Sequence, residues 1–120
     1  MAEKTSYTKG IEAEAKAARY LKKQGYAILE LRYKTKFGEV DLIACKKRQL
    51  IFVEVKAHKD VEASLYAVTP KSRRRIEQSA LWFLSENPDY NDFDMRFDVM
   101  VLKDGGSCAQ YLDNAWVMGA

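Results

Sequence analysis

The sequence predicts an α/β fold, a mixed β-sheet with flanking helices in the order α-β-β-β-α-β-β. Three observations carry that expectation. An amphipathic stretch from about Thr8 to Gln24 stops at Gly25, as a helix does. Two period-2 runs, Glu39 to Cys45 and Leu50 to His58, flank the polar turn Lys46-Lys47-Arg48-Gln49. A helix start at Thr69-Pro70 then separates this hairpin from another strand, Asp94 to Leu102, so the helix between them reads as a right-handed crossover.

The chain has 120 residues, which suits one domain, 1–120, with room for a core. Apolar residues make up 48% and seven residues are Tyr, so a folded chain is expected rather than a disordered one. The net charge of +3 is mild, and any nucleic-acid signal must come from where the charge sits. Cys45 and Cys108 lie far apart without metal-site spacing, which fits reduced thiols in a cytoplasmic protein. No signal peptide and no bilayer-length apolar run is evident, so no membrane partner is expected.

In the first helix the expected buried stripe is Ile11, Ala15, Ala18 and Leu21, with Glu12, Lys16, Arg19 and Lys23 on the surface. Glu14 falls on or beside the buried stripe. It is either a boundary acid whose head reaches solvent or an acid aimed at the hairpin. Tyr26 to Tyr33 reads as the first strand, followed by Lys34-Thr35-Lys36, where basic residues together with Arg32 could flank a polyanion.

The hairpin carries the chemistry. Alternation puts Val40, Leu42, Ala44, Ile51, Val53, Val55 and Ala57 on one apolar face. It puts Glu39, Asp41, Ile43, Cys45, Leu50, Phe52, Glu54, Lys56 and His58 on the other. A four-residue turn sets Cys45 opposite Leu50, Ile43 opposite Phe52 and Asp41 opposite Glu54. Two carboxylates so placed repel unless they share a proton or a cation holds them. Lys56 offers one positive charge, and a divalent metal would supply the rest.

A polar loop to Val68 precedes the second helix, which should run from Pro70 to about Ser85 on a core stripe of Ile76, Ala80, Phe83 and Leu84. Lys71, Arg74 and Arg75, with Arg73, are the densest positive charge in the chain and sit where the helix dipole favours anions. Phosphate contact and a plain charged surface both fit them. In Asp94–Leu102, Met95, Phe97, Val99 and Val101 share one side, and Arg96 and Asp98 the other, paired with a neighbouring strand. After the turn Asp104–Ser107 a short last strand is expected at about Ala109 to Leu112.

One histidine and two distant cysteines disfavour a His/Cys zinc site, and no Gly-rich phosphate loop or nucleophile elbow is present. A hard-oxygen site of Asp41 and Glu54, with Glu14 as a third acid, suits Mg²⁺ or Mn²⁺.

Gly10 through Ala17-x-x-Tyr20-Leu21, then FGEVDLIA, FVEVK, TPK and RFDV, closely resemble the YraN-like family. That family is similar to Holliday-junction resolvases of the restriction-endonuclease-like nuclease superfamily. The resemblance implies a restriction-endonuclease-like core, with Asp41, Glu54 and Lys56 in the D…E-x-K positions and Glu14 as the acid of the first helix. It also implies a symmetric dimer. Ala13 stands where family members commonly carry Gly, and Ala57-His58 where they often carry a small residue and then Arg.

The expected function is a Mg²⁺/Mn²⁺-dependent endonuclease acting on DNA ahead of RNA, branched or junction DNA included, in repair or recombination. Its catalytic residues would be Glu14, Asp41, Glu54 and Lys56, and Lys71, Arg74, Arg75, Lys34 and Lys36 would contact nucleic acid. The alternative is a nucleic-acid-binding repair-accessory module with the same fold and no efficient cleavage. A third option makes the hairpin charges structural, through Asp41–Lys56 and Glu39–Lys56 pairs.

Overall fold

A computed structural model describes residues 6–57, 68–103 and 108–119. The expected His58, most of the loop to Val68 and the turn Asp104–Ser107 lie outside them. The elements are α1 (Ser6–Lys23), β1 (Ala27–Thr35), β2 (Gly38–Lys46), β3 (Gln49–Ala57), α2 (Pro70–Glu86), a single 3-10 turn (Pro88–Tyr90), β4 (Asp94–Leu102) and β5 (Cys108–Trp116). The five strands form one sheet in sequence order. Only β3 and β4 run parallel, with α2 as their connection; the other neighbours are antiparallel. This is the mixed sheet with flanking helices that the sequence predicts.

Local chemistry explains the boundaries. Gly25 takes φ +97°, and Tyr26 N–H and Gly25 N–H donate to the carbonyls of Leu21 and Lys22. That pair of bonds closes α1 in a left-handed cap that favours glycine. Thr69 Oγ1 accepts from Ser72 N–H at 3.2 Å, and Pro70 opens α2 where no backbone donor is needed. The hairpin pairs Cys45 with Leu50 and Ile43 with Phe52, the expected register.

Each face of the sheet carries one helix. On one face Leu42, Ala44, Ile51, Val53, Met100 and Leu102 pack with Ala13, Ala17, Ala18 and Leu21 of α1. On the other, Ile43, Leu50, Phe52, Phe97, Val99 and Val101 pack with Ile76, Ala80 and Phe83 of α2. The α1 stripe is rotated from the expected one: Ile11 is 41% exposed and Ala15 is only half-buried, while Ala13 and Ala17 are buried. Small side chains let the helix lie close to the sheet, and burial follows them rather than the largest apolar residue.

Strict alternation also fails in β2. Val40 belongs to the α2 side with Ile43, although Leu42 and Ala44 face α1. The phase therefore reverses between Asp41 and Leu42. Across from this point Arg32 of β1 has φ +53°, and no ladder pair joins Arg32 to Asp41. The kink turns both strands together, so Tyr33 and Val40 form a pair on the α2 side.

β5 is longer than expected, reaching Trp116, whose ring stacks on Phe97 at 5.1 Å. Asp113-Asn114 imitates a turn in sequence, but here Asn114 forms an irregularity at φ +51° and its N–H donates to Asp98. The ion pair of Arg96 and Asp98 is with each other rather than with a charge on another strand, through Nε–Oδ1 and Nη2–Oδ2 contacts of 2.8 Å.

Candidate metal centre

The kink decides which acids meet. Its reversal sends Glu39 and Asp41 toward α1, where Glu14 occupies the fourth position after Gly10 and is buried against the sheet. One carboxylate oxygen from each of Glu14, Glu39 and Asp41 lies within 4.8 Å of the others. Glu54 is not in this trio. It lies close enough to Asp41 to feel that charge. The ladder between β2 and β3 is regular up to Leu42–Val53, and beyond it Asp41 Oδ2 accepts from Val55 N–H at 2.8 Å. Asp41 thus joins the two groups, touching the α1-side acids and the β3 strand at once.

Sequence pairing set Asp41 directly opposite Glu54 on one face, but the ladder ends at Leu42–Val53 and the kink turns Asp41 to the α1 side. That pairing also gave Glu39 no role as a ligand. The signal was present: Glu39 lies two residues before Asp41 and so shares its face. Lys56 Nζ lies 3.4 Å from Glu54 Oε1, and Arg32 lies 3.7 Å from Glu14 and 3.6 Å from Glu39. Arg32 is therefore a counter-ion of the acids. The Asp41–Lys56 and Glu39–Lys56 pairs of the structural option give way to these.

Electrostatics here is unbalanced. Burial, then the charge of Asp41, pushes the Glu14 carboxyl up to about 7, against the pull of Arg32. Burial, then Asp41, pushes Glu54 up to about 8, against Lys56. Glu14 Oε1 is buried and has no hydrogen-bond partner. When ionised, Glu14, Glu39, Asp41 and Glu54 carry four negative charges against the two positive charges of Arg32 and Lys56. A divalent cation would balance the remainder. The orphaned oxygen and the all-carboxylate donor set fit a hard ion such as Mg²⁺ or Mn²⁺.

The basic residues expected at phosphates are exposed: Lys71, Arg74 and Arg75 on α2, and Lys34 and Lys36 at the end of β1. Arg73 turns inward instead, its guanidinium 5.6 Å from the Trp116 ring. The two groups share one end of the molecule, since a Cβ on Gly38 would lie 3.2 Å from Arg75 Cβ. Gly38 and Glu39 are neighbours in β2, with the basic surface of α2 on one side of the sheet and the acidic cluster on the other. A cavity of about 270 Å³ lies elsewhere, near Tyr20, Lys46 and Arg96, and contains none of these acids. Among the described residues no helix is long and apolar enough to cross a membrane.

Residues 13–102 match the family described as Uncharacterised protein family UPF0102. A UPF0102 protein of Bradyrhizobium diazoefficiens is 41% identical over 97 residues, covering 81% of this chain and 73% of its own. A UPF0102 protein of Rhodopseudomonas palustris is 43% identical over 97 residues, covering 81% and 75%. Another, from Nitrobacter winogradskyi, is 42% identical over 93 residues, covering 78% and 79%.

Proposed function

Because this chain belongs to the UPF0102 family, the YraN family of its sequence resemblance, and gathers acids and a lysine at one end of its sheet, we propose that it is a metal-dependent endonuclease hydrolysing phosphodiester bonds in DNA. The observation that carries this is the Asp41 carboxylate, which links Glu14 and Glu39 to the Glu54-x-Lys56 strand. Glu14, Glu39 and Asp41 would hold Mg²⁺ or Mn²⁺, with Glu54 adjoining. Such an ion supplies Lewis acidity toward a phosphoryl oxygen and toward a hydrolytic water.

The chain's own groups do the rest. Lys56 Nζ, kept beside Glu54, offsets the negative charge that grows on the phosphoryl group. Lys34, Lys36, Lys71, Arg74 and Arg75 hold the backbone of the substrate and make its affinity dependent on salt. A homodimer working on two strands of branched DNA in repair or recombination, in a cytoplasmic setting, belongs to the same proposal.

Arg32 supports the second reading, a DNA-binding repair-accessory module without efficient cleavage. Its contacts with Glu14 and Glu39 already neutralise part of the cluster without a metal. Cleavage rates of wild type and Lys56→Ala on linear, flapped and four-way DNA at saturating Mn²⁺, alongside DNA affinity, separate the two. The nuclease loses roughly 10²-fold or more in rate with affinity kept, the scale of one transition-state charge stabiliser. Wild-type protein that binds DNA yet cuts no DNA or RNA form supports the accessory module.

A further inference from the structure

Two large aromatic side chains beside the basic surface are left in water. Phe37, in the β1–β2 turn, is 38% exposed and Trp82, on α2, is 39% exposed. Their rings meet edge to face at 6.3 Å, and Lys36 Nζ stands 5.3 Å from one ring centre and 5.5 Å from the other. Core packing does not require this exposure, since Phe52 and Phe83 fill the same side of the sheet from inside.

Along α2 the positions Lys71, Arg75, Gln78 and Trp82 recur at spacings of four, three and four, so they share one face. All four are exposed, and Arg75 lies against the turn that carries Phe37. Of the α2 carboxylates only Glu86, exposed one turn beyond Trp82, shares this face. Glu77 is buried, accepting from Trp116 Nε1 and Gly119 N–H, and Glu86 accepts from the Tyr33 hydroxyl.

We propose that Phe37 and Trp82 form a stacking platform for an unpaired base of DNA, so that the protein takes substrates containing a junction between duplex and single strand. The occupant follows from charge and shape. Aromatic faces rimmed by cations suit a polyanion whose bases show their flat faces, and a closed duplex hides those faces in its stack. A base entering the platform displaces the Lys36 ammonium from the rings toward the adjoining phosphate. The choice of DNA rests on the nuclease proposal above. The platform lies on the α2 side at the turn leading into β2, whose next residues, Glu39 and Asp41, face α1.

The test measures binding of labelled blunt duplex, the same duplex with a single-stranded tail, and a tailed RNA duplex, all without divalent ion. Wild type should favour the tailed DNA. Trp82→Leu and Phe37→Leu should each lower the tailed-to-blunt affinity ratio by about ten-fold, the scale of losing one base stack. Lys71→Ala combined with Arg74→Ala and Arg75→Ala should weaken both DNAs and leave that ratio in place. An unchanged ratio in a Trp82→Leu protein that melts like wild type overturns the platform, and so does tighter binding of tailed RNA. If Trp82→Leu fails to fold, Phe37→Leu decides by the same ratio. Mn²⁺-dependent cleavage is then assayed separately on the tailed DNA. Loss of the ratio effect with cleavage present defeats the platform alone. A retained ratio effect with no cleavage by wild type defeats the nuclease proposal alone.

Discussion

Glu14 Oε1, buried and unpartnered, gives the clearest handle on the site at the level of single residues. Glu14 and Glu54 are raised from the ordinary value of 4.5 to about 7 and about 8. The folded protein therefore holds more protons than the unfolded chain across that interval, and stability must fall as pH rises through it. Without metal, the melting temperature should be higher at pH 5 than at pH 8.5, and Mn²⁺ should restore the loss at the higher pH. A melting temperature that rises from pH 5 to pH 8.5 in chelator contradicts this electrostatic account. Glu39 separates the trio from the expected Asp41–Glu54 pair. By calorimetric titration, Glu39→Gln should weaken Mn²⁺ binding as much as Asp41→Asn does, and Glu54→Gln should weaken it less. Glu39→Gln with wild-type affinity would restore Asp41 and Glu54 as the main ligands.

Among the elements, α1 depends on its glycine cap to bring Glu14 to the sheet. Gly25→Ala should cost about 1 kcal/mol, because alanine at φ +97° is strained. The added Cβ meets only the Lys46 side chain, at 3.2 Å from Cε, which can move aside. The cost is therefore one of backbone, and the urea midpoint should drop with the slope unchanged. The kink at Arg32 and Asp41 matters more for function. It turns Glu39 and Asp41 toward α1 while keeping Val40 in the core beneath α2. A regular strand would leave the acids on the other side of the sheet from Glu14.

At the scale of the whole molecule, a buried ionic network ties the sheet's far edge to the end of α1. Asp98 is fully buried and receives two bonds from Arg96, one from the Tyr111 hydroxyl and one from Asn114 N–H. Arg96 also reaches the Tyr26 hydroxyl at 3.2 Å, just past the helix cap. Removing the acid strands the guanidinium and two other donors, the Tyr111 hydroxyl and Asn114 N–H. Asp98→Ala should therefore cost about 3 kcal/mol in denaturant unfolding, and Asp98→Asn less. If Asp98→Ala unfolds at the wild-type midpoint, the network is not holding β4 to β5.

The family resemblance suggested the grouping of Glu14 with Asp41, Glu54 and Lys56, while the sequence by itself determined the order of elements, the hairpin register and both helix boundaries to within a few residues. These are carried by local signals: a cap residue, a glycine, a proline and a period of two or 3.6. Tertiary structure decided which side of the sheet each acid faces, the place of Glu39 in the trio, the role of Arg32 as a counter-ion and the meeting of Phe37 with Trp82. Alternation counts residues along one strand and has no term for a neighbour that kinks. The reversal at Asp41 arises where β1 and β2 turn together, and the aromatic pair joins a turn to a helix 45 residues away. Such contacts follow from how surfaces pack, and no local spacing records them.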